Sequence, residues 1–248
     1  MISEFIYDVC TVCGRDFTVL KRRLVKFVLS RMVAPVLYLV AFGWGLGRSI
    51  DVNGGYMDYL VPGLIALNSM NVSFSGVIPV HAERVYHKSL EEYILSPIKP
   101  SAFVMGKIMG GALRGLISCA ILFLLAVIFG ANISLTPLAI LVAIANSLLF
   151  AAFGFFAAMK IDTYEEMGQV NTYILLPMSF LCGTFFSINM LPAGVSTVIL
   201  FLPLTETCVL LRATMTGGEI MLLPCVILAL YLIMAFYLAR KSFIDLTK

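Results

Sequence analysis

The chain has 248 residues, 60% of them hydrophobic and 12% charged, with a formal net charge of +3 and a mean hydropathy of +0.99. A soluble domain of this length carries about 25% charged residues, so this one lacks the polar surface to cover itself in water, and lipid is its natural solvent. No Ser/Gly linker, charge block or low-complexity stretch divides it, and a single membrane domain over 1–248 accounts for the length, with no nucleic-acid partner expected.

At the start, Ile2, Phe5, Ile6, Val9, Cys13, Phe17, Leu20, Leu24 and Phe27 recur at helical intervals opposite Glu4, Asp8, Arg15, Lys21, Arg22 and Lys26. The pattern predicts an amphipathic helix over 1–28 lying along the inner leaflet, where each basic residue near anionic lipid contributes on the order of 1 kcal/mol. A plain topological anchor is compatible with that reading. Met1–Phe5 lacks the basic start and apolar run of a cleavable signal. Cys10 and Cys13 have the spacing of a metal or redox pair, but no second pair follows and both lie on the apolar stripe, which reads as packing. Cys119, Cys182, Cys208 and Cys225 are scattered beyond them, and no disulfide framework is expected.

A spanning helix needs about 20 apolar residues. Six segments qualify, about 29–47, 57–80, 104–129, 135–159, 170–187 and 219–239, broken at Arg48–Tyr56, His81–Lys99, Gly130–Thr136, Lys160–Glu166 and Ile188–Gly218. The expected fold is an all-α membrane protein with six transmembrane helices: spans 1 and 2 within 29–80, a charged loop over 81–103, spans 3 to 5 within 104–187, an extracytoplasmic segment over 188–218, and span 6 over 219–239. With both termini inside, 14 of the 17 basic residues fall on the cytoplasmic side, leaving Arg48 and Arg212 outside and Arg114 within a span. That excess places both termini in the cytoplasm.

Asn68, Ser69, Asn71, Ser73 and Ser75 make the second span polar. Facing lipid they would be costly, so they point into the bundle or a cavity, and hydrogen bonding between helices explains them as well as a substrate path does. In the third span Arg114 either snorkels toward Lys107 and the headgroups or belongs to the transport path. Gly106-x3-Gly110 and Gly111-x3-Gly115 beside it permit close helix contact. Further on, Ile188–Gly218 is too long for a turn and too apolar for a solvated loop; Val195–Leu204 reads VSTVILFLPL. Pro192 and Pro203 bracket about half the length of a span, which predicts a short re-entrant helix dipping into the membrane or packing on the bundle. Glu206 and then Arg212 follow; binding of substrate by the acid, a pair with Arg212 and simple exposure all stay open.

Machinery for chemistry is missing. Gly106-Lys107 does not complete a P-loop, His81 and His87 form no HExxH pattern, and no GxSxG elbow occurs. No pair of acids lies within a span. No catalytic residue, metal site or cofactor of its own is expected, and the work needs energy from elsewhere. The stretch His81–Pro100, read as a helix, gathers Val85, Leu90, Ile94 and Leu95 toward one side, with Glu83, Arg84, Lys88, Glu91 and Glu92 supplying both signs of charge. Mixed charge beside an apolar ridge suits docking on a soluble protein better than binding anionic lipid; a solvated interfacial helix is the plain alternative.

Glu83-Arg84, Ser89-Leu90-Glu91 and Leu95-Ser96-Pro97 resemble the E-R…T-x-E…L-x-T-P run after the second span of ABC-2-type transporter permeases. The run from Leu176 to Phe186, then Leu191-Pro192, resembles the P-x-x-F-L-x-G-x-F-F…L-P signature of their fifth span, and Phe201–Leu204 with Arg212 extends it. The resemblance covers nearly the whole chain, and the branch of nodulation-factor and daunorubicin-type exporters looks nearest.

The resemblance implies a six-span subunit that forms dimers, each copy contacting a separate ABC ATPase chain that holds ATP and Mg. Residues 81–97 would be the coupling helix, with Glu83, Arg84, Lys88, Glu91, Glu92 and Leu95 at the ATPase interface; Lys160–Glu166, with Glu165 and Glu166, would be a second contact. Asn68, Asn71, Phe185, Phe186, Glu206 and Arg212 are the candidates for the substrate path or its exit, which 188–204 would shape. Ser187 stands where the family often has proline, and Glu206 where several members have histidine, which leaves the cargo open. The expected function is that of the permease of an ATP-driven exporter in a bacterial inner membrane, moving an amphiphile such as a lipid-linked saccharide, a polysaccharide or a hydrophobic drug-like compound. Its rivals are an ATP-independent pore or scaffold, indifferent to charge reversal at Glu91 and Glu92, and an intramembrane transferase, which alanine scanning of Glu206, Arg212, His81 and His87 would expose.

Overall fold

The computed structural model describes residues 2–46, 55–95, 98–186, 188 and 192–246. Expectations resting on Arg48, Ser96, Pro97, Ser187 and Leu191 lie outside the described residues, as does the side chain of Glu91. Among the described residues every regular element is helical.

The chain opens with α1 (Ile2–Arg22), followed by α2 (Leu24–Tyr38), which continues in wide π-type turns over Leu39–Leu46. Next come α3 (Tyr56–Val85), the short α4 (Ser89–Leu95), α5 (Pro100–Ile128) and α6 (Pro137–Lys160). Then α7 (Tyr164–Val170) runs through a wide-turned stretch, Asn171–Leu175, into α8 (Leu176–Leu181). Last are α9 (Ala193–Leu200), α10 (Pro203–Thr216) and α11 (Leu222–Leu246). Proline opens α5 and α6, where a missing N–H costs nothing. Thr136 caps α6, its hydroxyl accepting from the Ala139 amide at 3.1 Å.

Among the described residues five helices are long and apolar enough to cross a bilayer: Leu24–Gly43, Tyr56–Val85, Pro100–Ile128, Pro137–Lys160 and Leu222–Leu246. They answer to the first four predicted spans and the last. The predicted fifth span, 170–187, differs. Its helical run starts earlier, at Tyr164, because Thr163 caps it by accepting from the Glu166 amide at 3.2 Å. It stops at Leu181, ahead of Gly183, whose φ of +75° is left-handed. Its first turn carries Glu165 and Glu166, so it is less apolar than the five, although 18 helical residues reach about 27 Å. The pair Gly194–Leu200 and Pro203–Thr216, bent by 82°, has the length and composition of a broken span or of a re-entrant loop such as the sequence predicts there. The elbow is where the sequence sets Pro203.

α3 is the axis of the bundle. It packs against α5, α6 and α10, and α6 also packs against α11. Leu60, Leu64, Met70, Ile108, Leu122, Leu149 and Phe155 are fully enclosed between these helices. α6 comes so close to α3 that a Cβ on Gly154 would lie 2.7 Å from the Phe74 carbonyl oxygen, and no rotamer relieves a clash with backbone. The two glycine pairs of α5 serve different neighbours. Gly106 and Gly110 lie against Val12 and Asp16 of α1, whereas Gly111 and Gly115 meet Val77 and Ser73 of α3.

Several buried polar groups in this core find partners between helices, although the Ser73 hydroxyl and the His81 ring nitrogens find none among the described residues. Ser69 and Ser147 hydroxyls are 2.8 Å apart. The Asn146 amide donates to the Ala66 carbonyl at 3.1 Å and its oxygen accepts from Thr207 at 2.9 Å, which joins α3, α6 and α10.

Candidate functional site

Two features stand apart from the packed core: a charged junction at the end of the bundle that carries α4, which we call the inner end after the orientation expected from the sequence, and a groove beside α3.

The junction begins where α3 ends. Helical hydrogen bonding carries α3 through His81 to Val85, so Glu83 and Arg84 lie on the last turn of the second span rather than on a separate docking helix. Arg84 donates to the carbonyls of Met159 (2.5 Å) and Ile161 and pairs with Asp162 at 2.8 Å. A guanidinium thereby satisfies carbonyls that the end of α6 leaves without helical partners. Glu83 meets Lys107 Nζ at 3.0 Å and Arg15 at 3.5 Å, and Lys107 also reaches Asp16 at 3.4 Å. Lys107 is only 3% exposed; such a cation is tolerable because two carboxylates surround it.

α4 seats on this cluster through two side chains. Leu90 is buried. The Tyr93 ring lies 4.8 Å from Phe103, with Lys107 and Arg15 at 5.8 and 5.4 Å from its centroid. Lys88, Glu92 and Leu95 are left facing outward, Leu95 at 87% exposure. Lys88, in the turn before α4, adopts a left-handed φ of +51°. Tyr164, at the start of α7, stacks on Tyr86 at 5.5 Å and meets His81 edge-on at 5.2 Å. Glu165 and Glu166 beside it are exposed. The connection after α3 and the connection after α6 thus share one surface.

Three adjoining cavities of about 460, 290 and 200 Å³, here the inner, middle and outer one, lie along α3: the first two sit side by side at the level of Asn71–Ile78, the second touching Tyr164 of the junction, and the third extends to Leu67. Arg23, Lys26, Arg31 and Arg114 bound the inner one. The middle one shares Arg31 and Ser75 with it and adds Asn71 and Asn171. The outer one shares both asparagines and ends at Tyr38, Phe180 and Phe185. There the Phe185 ring packs at 4.8 Å from Phe42, 5.5 Å from Phe180 and 5.6 Å from Tyr38.

The sequence-predicted path residues therefore separate. Asn71 and Phe185 line the groove. Asn68 instead donates to Ser118 of α5 at 2.6 Å, and Phe186 is half-buried outside the groove. Glu206 and Arg212 do not pair: six residues apart on α10, they lie on different sides of the helix. Arg212 donates to the carbonyls of Gly183 (2.9 Å) and Tyr59 (3.3 Å) and stacks 3.6 Å from the Tyr59 ring centroid. It fixes residues 182–186 against α3, helped by the bond from Tyr56 Oη to the Phe185 carbonyl at 2.8 Å. Glu206 is buried. Arg114 turns to the Gly76 carbonyl (2.5 Å) and the groove, while Lys107, two turns earlier, belongs to the junction. Sequence reading missed Arg31 and Asn171 as groove residues; for Arg31, a cation at the third residue of the predicted first span was the available signal.

The profile of the family described as ABC-2 type transporter matches residues 7–216, from α1 through α10. The chain belongs to this family. Among curated proteins it is similar to Nodulation protein J of Rhizobium leguminosarum bv. viciae, 26% identical over 231 residues, covering 91% of this chain and 89% of the relative. It is also similar to the inner membrane transport permease YadH of Escherichia coli K12, 25% identical over 177 residues that cover 68% and 69% of the two chains. Nodulation protein J of Bradyrhizobium diazoefficiens is 22% identical over 243 residues, 96% and 93% of the respective lengths. The resemblance read from the two motifs thus stands, and the protein is a multi-span ABC-2 transport permease, the membrane subunit of a transporter.

Proposed function

We propose that this ABC-2 permease is the membrane half of an ATP-driven exporter in a bacterial inner membrane, working as a homodimer with a separate ABC ATPase that carries ATP and Mg. Both termini face the cytoplasm on this reading, in keeping with the distribution of basic residues. The observation that carries the proposal is the inner junction. Glu92 and Leu95 on α4 and Glu165 and Glu166 on α7 project from one surface, and the same surface is joined to α1, α3 and α5 through Tyr93, Lys107 and Glu83. A force applied there would reach three helices at once. An exposed apolar residue one turn from an acid, on a surface that also carries Lys88, suits a soluble protein partner.

The cargo is an amphiphile. The groove offers cations at its inner end, amides in its middle and aromatic rings at its outer end, which matches a molecule with a polar head and an apolar body. Its open side is formed by α2, Asn171 and α8, and a second copy across that side would close it.

The test is purification of the tagged permease in mild detergent, with ATPase activity sensitive to vanadate measured in the eluate. The wild type should bring down a Walker-motif protein in equal amount, and the pair Glu92→Lys with Leu95→Asp should lose both protein and activity at unchanged permease yield. A permease that moves cargo in vesicles without nucleotide would overturn the reading in favour of a pore.

A further inference from the structure

Basic residues set orientation from anywhere on the inner side, but the inner cavity of the groove gathers four cations at one place. Four cations converge on it from three elements: Arg23 from the α1–α2 hinge, Lys26 and Arg31 from the first turns of α2, and Arg114 from α5. None of the four lies within ion-pair distance of a carboxylate among the described residues, whereas Lys107, nearby on α5, has two. Four like charges around about 460 Å³ repel one another, so the arrangement stores an unmet demand for negative charge.

The cations are also positioned. Arg114 is aimed by its bond to the Gly76 carbonyl at 2.5 Å, and Arg31 by the Ser75 hydroxyl at 3.3 Å and the Phe27 ring at 5.8 Å. Gly76 makes room for this: a Cβ there would lie 3.3 Å from Arg114 Cδ and 3.2 Å from the Gly111 Cα. Arg23 and Lys26 are exposed at the rim, Arg31 and Arg114 half-buried behind them, so charge rises along a path into the cavity. Leu20, Phe27 and Val72 line its apolar wall.

From this geometry we infer that the cavity is a receptor for a phosphate or pyrophosphate group carried by an amphiphile of the inner leaflet. Guanidinium forks match phosphate oxygens in pairs, and a phosphomonoester brings about two negative charges where a carboxylate brings one. A basic pocket between membrane helices on the cytoplasmic side is a headgroup site by its chemistry, and the apolar wall accommodates the start of a lipid chain. Continuity with the groove makes this site its loading end. The inference rests on the transport reading only in treating the bound molecule as cargo, since binding itself needs neither nucleotide nor ATPase.

Native mass spectrometry of the full-length permease in detergent, without any ATPase, tests it. The probes are palmitoyl-oleoyl phosphatidic acid, the phosphatidylcholine with the same chains, and inorganic pyrophosphate. We expect saturable binding of one phosphatidic acid per chain, at least tenfold tighter than phosphatidylcholine, and competition by pyrophosphate only at much higher concentration. Arg31→Gln with Arg114→Gln should weaken it at least tenfold, and Arg114→Lys should retain most of it. Lys26→Gln, at an exposed position that packing does not depend on, should weaken it about threefold, which keeps the test open if the double variant fails to fold. Pyrophosphate binding as tightly as the lipid would support the phosphate site and assign it to a free rather than a lipid-borne group. Loading that never saturates, equal binding of the two lipids, full binding by the double variant, or full binding by Lys26→Gln where the double variant does not fold would overturn the inference. Failure of ATPase co-purification would leave it standing.

Discussion

The first and second spans invert each other. In its most apolar stretch, α3 has 72% of its residues buried in the chain's own bundle; for the first span the share is 11%. Yet α3 holds the amides and most hydroxyls, while the first span, apart from Lys26, Ser30, Arg31 and Tyr38, is hydrocarbon. Depth inside a membrane bundle therefore tracks polarity here, the reverse of a soluble core, because lipid accepts an apolar helix at no cost and rejects an unpaired amide. The core makes the fold, and the sparsely packed rim of α2, α7 and α8 is the part a second copy would complete.

The sharpest way to break this contrast is at the core's edge. Lys107→Met strands Glu83 and Asp16 beside each other and should cost about 3–5 kcal/mol, seen as a collapse of the monodisperse peak on size-exclusion; survival at wild-type Tm would mean the junction is not a packed ion cluster. Gly154→Val drives a side chain into the Phe74 carbonyl and should cost about 1–3 kcal/mol. Val33→Leu, on the exposed face of α2, should stay within about 0.5 kcal/mol in the same thermal melt. Equal losses at the two sites would erase the distinction between core and rim.

Oxidative cross-linking sharpens the rim itself. Leu176→Cys, 53% exposed and lining the outer cavity, should give a covalent dimer in native membranes, and Leu124→Cys, 63% exposed on α5 away from the groove, should not. Equal cross-linking of both would remove the groove from the subunit interface. The smallest effect concerns α1. Burial, then Asp16 and Cys10, push the Cys13 thiol above its ordinary pKa, while Cys10 is exposed. A raised pKa leaves less thiolate at neutral pH, so maleimide should label Cys10 several-fold faster, with the gap narrowing as pH rises through the Cys13 pKa.

Hydropathy made most of the fold legible, because a run of twenty apolar residues has few alternatives to a spanning helix. The fifth span was blurred for a physical reason: its helix begins among Glu165 and Glu166 under a threonine cap, a local signal that a hydropathy window averages away. The site was legible by residue type and not by partner. Asn68 and Asn71 are one turn apart and read alike, yet one bonds across to α5 and the other lines the groove. Glu83 and Arg84 were recognised as a motif, but their partners Lys107 and Asp162 lie 24 and 78 residues away, a distance over which periodicity says nothing.

Arg84 has a mechanical corollary. Its three acceptors all come from the four residues Met159 to Asp162, so prising the ends of α3 and α6 apart would strip the guanidinium of every one of them in a single motion. The two helices are riveted there and must travel as one stiff rod. Any rocking of the molecule has to pivot elsewhere, and α2, held to α3 among the described residues by the single Arg31–Ser75 bond at 3.3 Å, is the place with freedom to swing.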